Sequence, residues 1–234
     1  MNKKQTLFFV LGGFFITNAL VAELIGGKII AVGPFAVSAG LLPWPIVFVA
    51  TDLVNEFFGR RGVRFYTFVT TGLIAYTFIL LALARLAPTA GFSPITQTAF
   101  DNVFGNSQWI IVGSLAAFLA SQFIDVLVFW KIRQKTGARF LWARATGSTL
   151  VSQLIDTFVV AFIAFYLPGK LTLSQFLQVS LLSYLYKTVI AIAATPLCYA
   201  GHGLINRYLG LSEADHLAKQ TAAQALQNLE PAPL

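Results

Sequence analysis

Glu23, Asp52, Glu56, Asp125, Asp156 and Lys187 all fall within long apolar stretches of the chain. Holding an ionisable group at the centre of a membrane-spanning helix costs about 2.5–3.5 kcal/mol on insertion scales. A sequence that does this six times keeps those groups for hydrogen bonding, ion pairing or proton carriage. Asp52, Asn55, Glu56 and Gly59 are spaced i, i+3, i+4 and i+7, which puts them on one helical face. Two local pairings compete with a functional role: Glu56 with Arg60 one turn on, and Glu23 with Lys28.

A second constellation is repeated. Ser121-Gln122-Phe123-Ile124-Asp125 and Ser152-Gln153-Leu154-Ile155-Asp156 are the same Ser-Gln-apolar-Ile-Asp string, 31 residues apart. In each, Gln and Asp are three apart and face the same way. On successive antiparallel helices, a rise of about 1.5 Å per residue brings Gln122 and Gln153 to a similar depth, about 15 Å inside the bundle. The amides are then placed to meet, with Asp125 on one side of them and Asp156 on the other. Repeats of this kind frame substrate sites in transporters; helix pairing through the amides is the rival use. Lys187 needs a carboxylate partner, and Asp156 is nearest by depth, so an ion pair and a substrate contact are both open to it. Trp44, between Pro43 and Pro45, is placed to stack on a planar ligand or to sit in an interfacial aromatic belt.

The elements that must hold these residues follow from composition. Of 234 residues, 57% are hydrophobic and only 11% charged, against roughly 25% charged in an ordinary soluble domain. A soluble globular enzyme, a disordered chain and a collagen-like fibre are excluded, and the expected class is an all-α integral membrane protein. The single cysteine, Cys198, excludes an intramolecular disulfide and a cysteine-clustered metal site. Six stretches match the roughly 20 helical residues that a hydrocarbon core of about 30 Å requires: 6–26, 36–58, 63–87, 107–131, 144–167 and 175–206. The first carries Asn18 and Glu23 and lacks an Ala-x-Ala cleavage pattern, so it is expected to be a retained helix and not a signal peptide.

Twelve Lys and Arg lie on the side of the N-terminus, among them Arg60, Arg61, Arg64, Arg133 and Arg144, against Lys28, Arg85 and Lys170 opposite. That asymmetry predicts cytoplasmic termini. It also accounts for the net charge of +7 without nucleic acid, since the bases are divided among loops. Residues 27–45 are rich in Gly and Pro and are expected to be broken and re-entrant, which is tolerated at membrane depth only where protein buries the backbone or a cavity is lined. Residues 1–210 form the transmembrane domain. Residues 211–234 are expected to be a polar cytoplasmic tail, with Ser212 and Asp215 capping a surface helix that runs to about Leu229. The phosphate-loop, H-E-x-x-H and G-x-S-x-G motifs are absent from the sequence. His202 and His216 are remote from any carboxylate cluster, so neither a catalytic group nor a metal or other cofactor is expected.

Thr51-Asp52-Leu53-Val54-Asn55-Glu56-Phe57-Phe58-Gly59, after a Pro-rich entry and followed by the two Ser-Gln-x-Ile-Asp strings, resembles the queuosine precursor transporters, earlier named for vitamin uptake. The similarity covers about residues 5–207. It implies a bacterial inner-membrane importer of 7-deazaguanine bases, 7-cyano-7-deazaguanine or its 7-aminomethyl form, for transfer RNA modification. It also implies kinship with the six-helix substrate-binding subunits of energy-coupling-factor importers. A deazaguanine presents N1–H and a 2-amino group, which a carboxylate accepts together; an amide can bond the oxo group and an aromatic ring can cover the face. The expected substrate-binding residues are Asp125, Asp156, Gln122, Gln153, Trp44, Asn55, Glu56, Asp52 and Lys187. A binding subunit of a multi-component ATP-driven importer is the alternative, and an integral-membrane enzyme using paired acids is a third reading. Energy coupling and homo-oligomer formation are left open by the sequence.

Overall fold

A computed structural model describes residues 2–26, 28–32, 35–105, 108–136, 140–210, 212, 214 and 217–221. Helix α1 (Lys3–Ile25) starts at a capping box, in which the Asn2 side chain accepts from the Gln5 amide and the Gln5 side chain accepts from the Asn2 amide. Strands β1 (Ile29–Val32) and β2 (Phe35–Ser38) form an antiparallel hairpin with Ile29 opposite Ser38, and a 3-10 turn (Ala39–Leu41) leads into α2 (Trp44–Leu86). Then come α3 (Gln97–Phe104), α4 (Gln108–Thr136), α5 (Leu141–Ala161) with a π-helical turn at Phe162–Tyr166, and α6 (Leu173–Leu209). The expected break between the first two spans holds this hairpin, so β2 and the 3-10 turn occupy the start of the span expected from residue 36, and helix α2 begins at Trp44.

Among the described residues five helical stretches are long and apolar enough to cross a membrane, the longest running Ala39–Leu86. That stretch holds both the second and the third expected spans. Gly59, at φ 69° and ψ −170°, interrupts it with a conformation that glycine adopts without steric cost. Trp44 and Phe78, 34 positions apart, line one and the same cavity. A straight helix would separate them by about 50 Å, so α2 doubles back at Gly59 as two arms.

The long helices bury narrow stripes and leave large apolar side chains outward, such as Phe9, Phe14, Phe68, Leu86 and Leu204. On α1 the inward stripe is Leu7, Leu11, Phe15, Ala19 and Ala22. It packs on Val47, Val54, Phe57 and Tyr66 of α2 and on Phe118, Phe129 and Trp130 of α4. The Lys3 ammonium donates to the Tyr208 carbonyl at 3.2 Å, so α1 begins where α6 ends. That end of the bundle, with the Gly59 reversal, is called the terminal end below; the other carries the hairpin.

The chain after Gly210 does not stand apart. Ser212, Ala214 and 217–221 are helical, Ala214, Leu217 and Thr221 are buried, and the Thr221 hydroxyl donates to the Phe57 carbonyl at 3.3 Å. Asp215, His216 and the expected helix end at Leu229 lie outside the described residues.

Candidate functional site

At the hairpin end a cavity of about 310 Å³ opens between α1, the 3-10 turn, both arms of α2, α4, α5 with its π turn, and α6. That volume is at the lower edge of small-molecule pockets. Close backbone contact shapes one wall: a Cβ built on Gly40 would stand 2.6 Å from the Ala22 carbonyl oxygen and 3.0 Å from Gly26 Cα. The Ser38 hydroxyl donates to the Gly26 carbonyl at 2.6 Å and accepts from the Gly40 amide at 3.1 Å, which ties the hairpin to the end of α1. Opposite, the π turn after α5 sets Phe165 on the wall together with Val160.

Three charged groups face this space. Lys187 Nζ sits 2.6 Å from Asp156 Oδ2 and 5.7 Å from the centroid of the Trp44 ring, so one ammonium serves a carboxylate and an aromatic face together. Glu23 accepts from the Ser114 hydroxyl, and both residues line the cavity. The competing Glu23–Lys28 pairing does not form: among the described residues the ion pairs are Arg85–Asp101, Arg133–Glu56, Arg144–Glu56 and Lys187–Asp156. Two carboxylates, an ammonium and an indole around a cavity of this size can grip a flat, donor-rich molecule by its edge and its face.

Beneath the cavity the two Ser-Gln-x-Ile-Asp strings meet in a crossed arrangement. The Ser121 hydroxyl of the first donates to Asp156 of the second at 3.5 Å, and the Ser152 hydroxyl of the second donates to Asp125 of the first at 3.2 Å. The amides do not bond one another, because Gln122 Oε1 and Gln153 Oε1 are both buried and accept no hydrogen bond. Asp52 Oδ1, Asp125 Oδ2 and both polar atoms of Asn55 are likewise buried and unpartnered.

The terminal end is closed by charge. Arg144 Nε and Nη2 hold Glu56 in a two-pronged grip at 3.0 and 2.9 Å, and Arg133 Nη1 lies 3.1 Å from the same carboxylate. All three side chains are buried. Arg60, the rival local partner for Glu56, instead lies 5.5 Å over the Trp130 ring. Arg133 also donates to the carbonyls of Glu56 at 3.3 Å and Ala218 at 2.8 Å, which ties the segment after Gly210 to the cluster.

Of the nine residues expected from sequence, the structure thus sets Trp44, Asp156 and Lys187 on the cavity wall, while Asp52, Asn55, Gln122, Asp125 and Gln153 are buried off that wall, on the stretches of their helices that run from it toward the Glu56 cluster. Glu56 belongs to the ionic cluster. Sequence reasoning missed Glu23 and Ser114 as a facing pair. The available signal was an acid one turn beyond the buried Ala19 on α1. Among the described residues no three His, Cys, Asp or Glu side chains gather as a metal-binding group.

The family model described as "Putative vitamin uptake transporter" matches residues 38–201. That span holds every cavity-lining residue except Ala22, Glu23 and Gly26. The chain is 34% identical over 168 residues to the probable queuosine precursor transporter of Bacillus subtilis (strain 168), covering 71% of this chain and 72% of that protein. It is 30% identical over 162 residues to the queuosine precursor transporter of Escherichia coli (strain K12), covering 68% and 69% respectively. Against the probable queuosine precursor transporter of Haemophilus influenzae (strain ATCC 51907 / DSM 11121 / KW20 / Rd) the identity is 30% over 155 residues, 65% of this chain and 63% of that one. No solved structure matches the chain.

Proposed function

The chain belongs to the vitamin uptake transporter family, and we propose that it imports queuosine precursors, 7-cyano-7-deazaguanine or its 7-aminomethyl form, through the hairpin-end cavity. The relatives named for this cargo and the long apolar helices support transport across a membrane. The observation that carries the site assignment is the Asp156–Lys187–Trp44 group around a cavity of about 310 Å³. The base edge, with N1–H and the 2-amino group, pairs with a carboxylate of Asp156 or Glu23. Lys187 donates to the oxo group, and Trp44 covers the ring. In this reading the two arms of α2 make six crossings in all and the basic terminal end faces the cytoplasm. The cavity then opens to the outside while Glu56, Arg133 and Arg144 seal the inner end.

Purified protein in liposomes tests the proposal. Labelled precursor should exchange across the membrane without any ATPase partner and emerge unaltered. An Asp156→Asn variant should lose about 1–3 kcal/mol of binding, because it removes one acceptor and leaves Lys187 without its carboxylate. Exchange equal to the intact protein's in that variant would overturn the site. Transport only in the presence of an added ATPase complex would favour a binding subunit.

A further inference from the structure

Buried charge in the bundle does not balance. Glu56 is shared by Arg133 and Arg144, and Asp156 is held by Lys187. Asp52 and Asp125, each about 95% buried, join no ion pair among the described residues. They act on one another electrostatically, with Glu56 and Arg144 as the other charges bearing on Asp52. Around them stand polar side chains with nothing to bond. Asn55, one turn from Asp52 and fully buried, has neither amide atom partnered. Gln122, one turn from Asp125, and Gln153, next to the Ser152 that bonds Asp125, each leave a buried amide oxygen unused. Ser152 supplies Asp125 with a neutral donor only. From α6, Cys198 is the titratable neighbour of Asp52, and both border the same small gap with Thr149 and Thr195.

Two carboxylates and three amides with unused oxygens cost several kcal/mol if left alone in a low-dielectric interior. Oxygen donors around an excess negative charge are what a single positive charge satisfies. We propose that the layer formed by Asp52, Asn55, Gln122, Asp125 and Gln153 binds one monovalent cation, a proton or a sodium ion, directly beneath the substrate cavity. As a proton, it converts one carboxylate to an acid that donates to a neighbouring oxygen. As sodium, it takes the orphan oxygens as ligands, as ion sites in transporters with mid-membrane substrate sites do. With only two carboxylates, and a net positive charge on the nearby cluster of Glu56 with Arg133 and Arg144, a divalent ion has too few anionic ligands. The layer lies between the cavity and the Glu56 cluster, so a cation bound there couples to precursor in the same pathway. This coupling rests on the transport reading, but cation binding does not.

The test uses the full chain without substrate. Thermal unfolding in detergent is followed while sodium replaces choline at fixed pH, and separately while pH falls in choline. Binding to the folded state alone raises the melting temperature by mass action, so one of the two series should stabilise the intact protein. Asp125→Asn and, independently, Asn55→Leu should remove most of that response while Thr98→Ala, at an exposed and non-titrating position, keeps it. A response to neither cation, or one that survives in both layer variants, overturns the cation site. In liposomes, a gradient of the responding cation should raise precursor accumulation about tenfold or more over counterflow. Stabilisation without any counterflow would retain the cation site and sink the transport reading. Counterflow without cation response would do the reverse.

Discussion

At the hairpin end, Glu23, Asp156 and Lys187 face an open cavity, with one ion pair among them and one hydroxyl contact to each carboxylate. At the terminal end, Glu56 is enclosed by two buried guanidiniums, one of which also donates to the Ala218 carbonyl. The same residue types serve opposite ends. Where two guanidiniums surround a carboxylate, the protein supplies its donors itself. Where a carboxylate has fewer, there is room for something else to supply them. Buried charge is costly either way, and the difference lies in whether the protein itself or an incoming molecule completes the hydrogen bonding.

The largest effect is expected where the charge is sealed. Glu56→Gln leaves Arg133 and Arg144 buried without their carboxylate and should cost about 3–5 kcal/mol of stability, read as a loss of thermal stability in detergent. Lys187→Met should act on function more than on folding: the ammonium lies at the edge of the cavity, and precursor binding should fall by about 1–3 kcal/mol, measured by ligand-induced thermal shift. Equal destabilisation by these two variants would erase the distinction between the ends.

A seam between helices gives the next effect down. A Cβ on Gly12 would fall 2.2 Å from a Tyr66 ring carbon, whereas Gly13 has nothing within 4 Å. Gly12→Ala should therefore cost about 1–3 kcal/mol by overpacking, and Gly13→Ala should be near neutral. The smallest effect is outside the bundle. Hydrogen bonds from Arg85 and then Gln97 hold the Asp101 carboxyl below the usual carboxylate range. Its contribution is fully present above the ordinary aspartate pKa and is lost as pH falls through the lowered one. The stability gap between the intact protein and Asp101→Asn should thus shrink on acidification and in high salt, as an exposed pair requires.

The membrane class and the long apolar helices were legible because long apolar runs leave few alternatives. The doubling back at Gly59 was legible as a boundary between spans, since a basic run, Arg60 and Arg61, follows a glycine. Partnerships across the bundle were not. Glu56 has Arg60 at helical spacing, yet Arg133 and Arg144 win because they reach it from α4 and α5 with two-pronged geometry that a helix neighbour cannot offer. The hairpin was hidden because its strands are short, although Ile29-Ile30-Ala31-Val32 and Phe35-Ala36-Val37-Ser38 flank a Gly-Pro. The repeated strings pointed to a shared layer, and their depth ordering matches Asp156 at the cavity and Asp125 below it. Which serine would meet which aspartate required the packed helices.

Those crossed serine–aspartate bonds have a mechanical consequence. Sliding α5 along α4 by one turn would rupture both at once, since each string holds one end of each bond. The two helices are therefore pinned in register like a keel. Whatever swings to pass a molecule through this protein must be hinged elsewhere, at the hairpin, at the Gly59 reversal of α2, or along α6 where Pro196 already lacks a backbone donor.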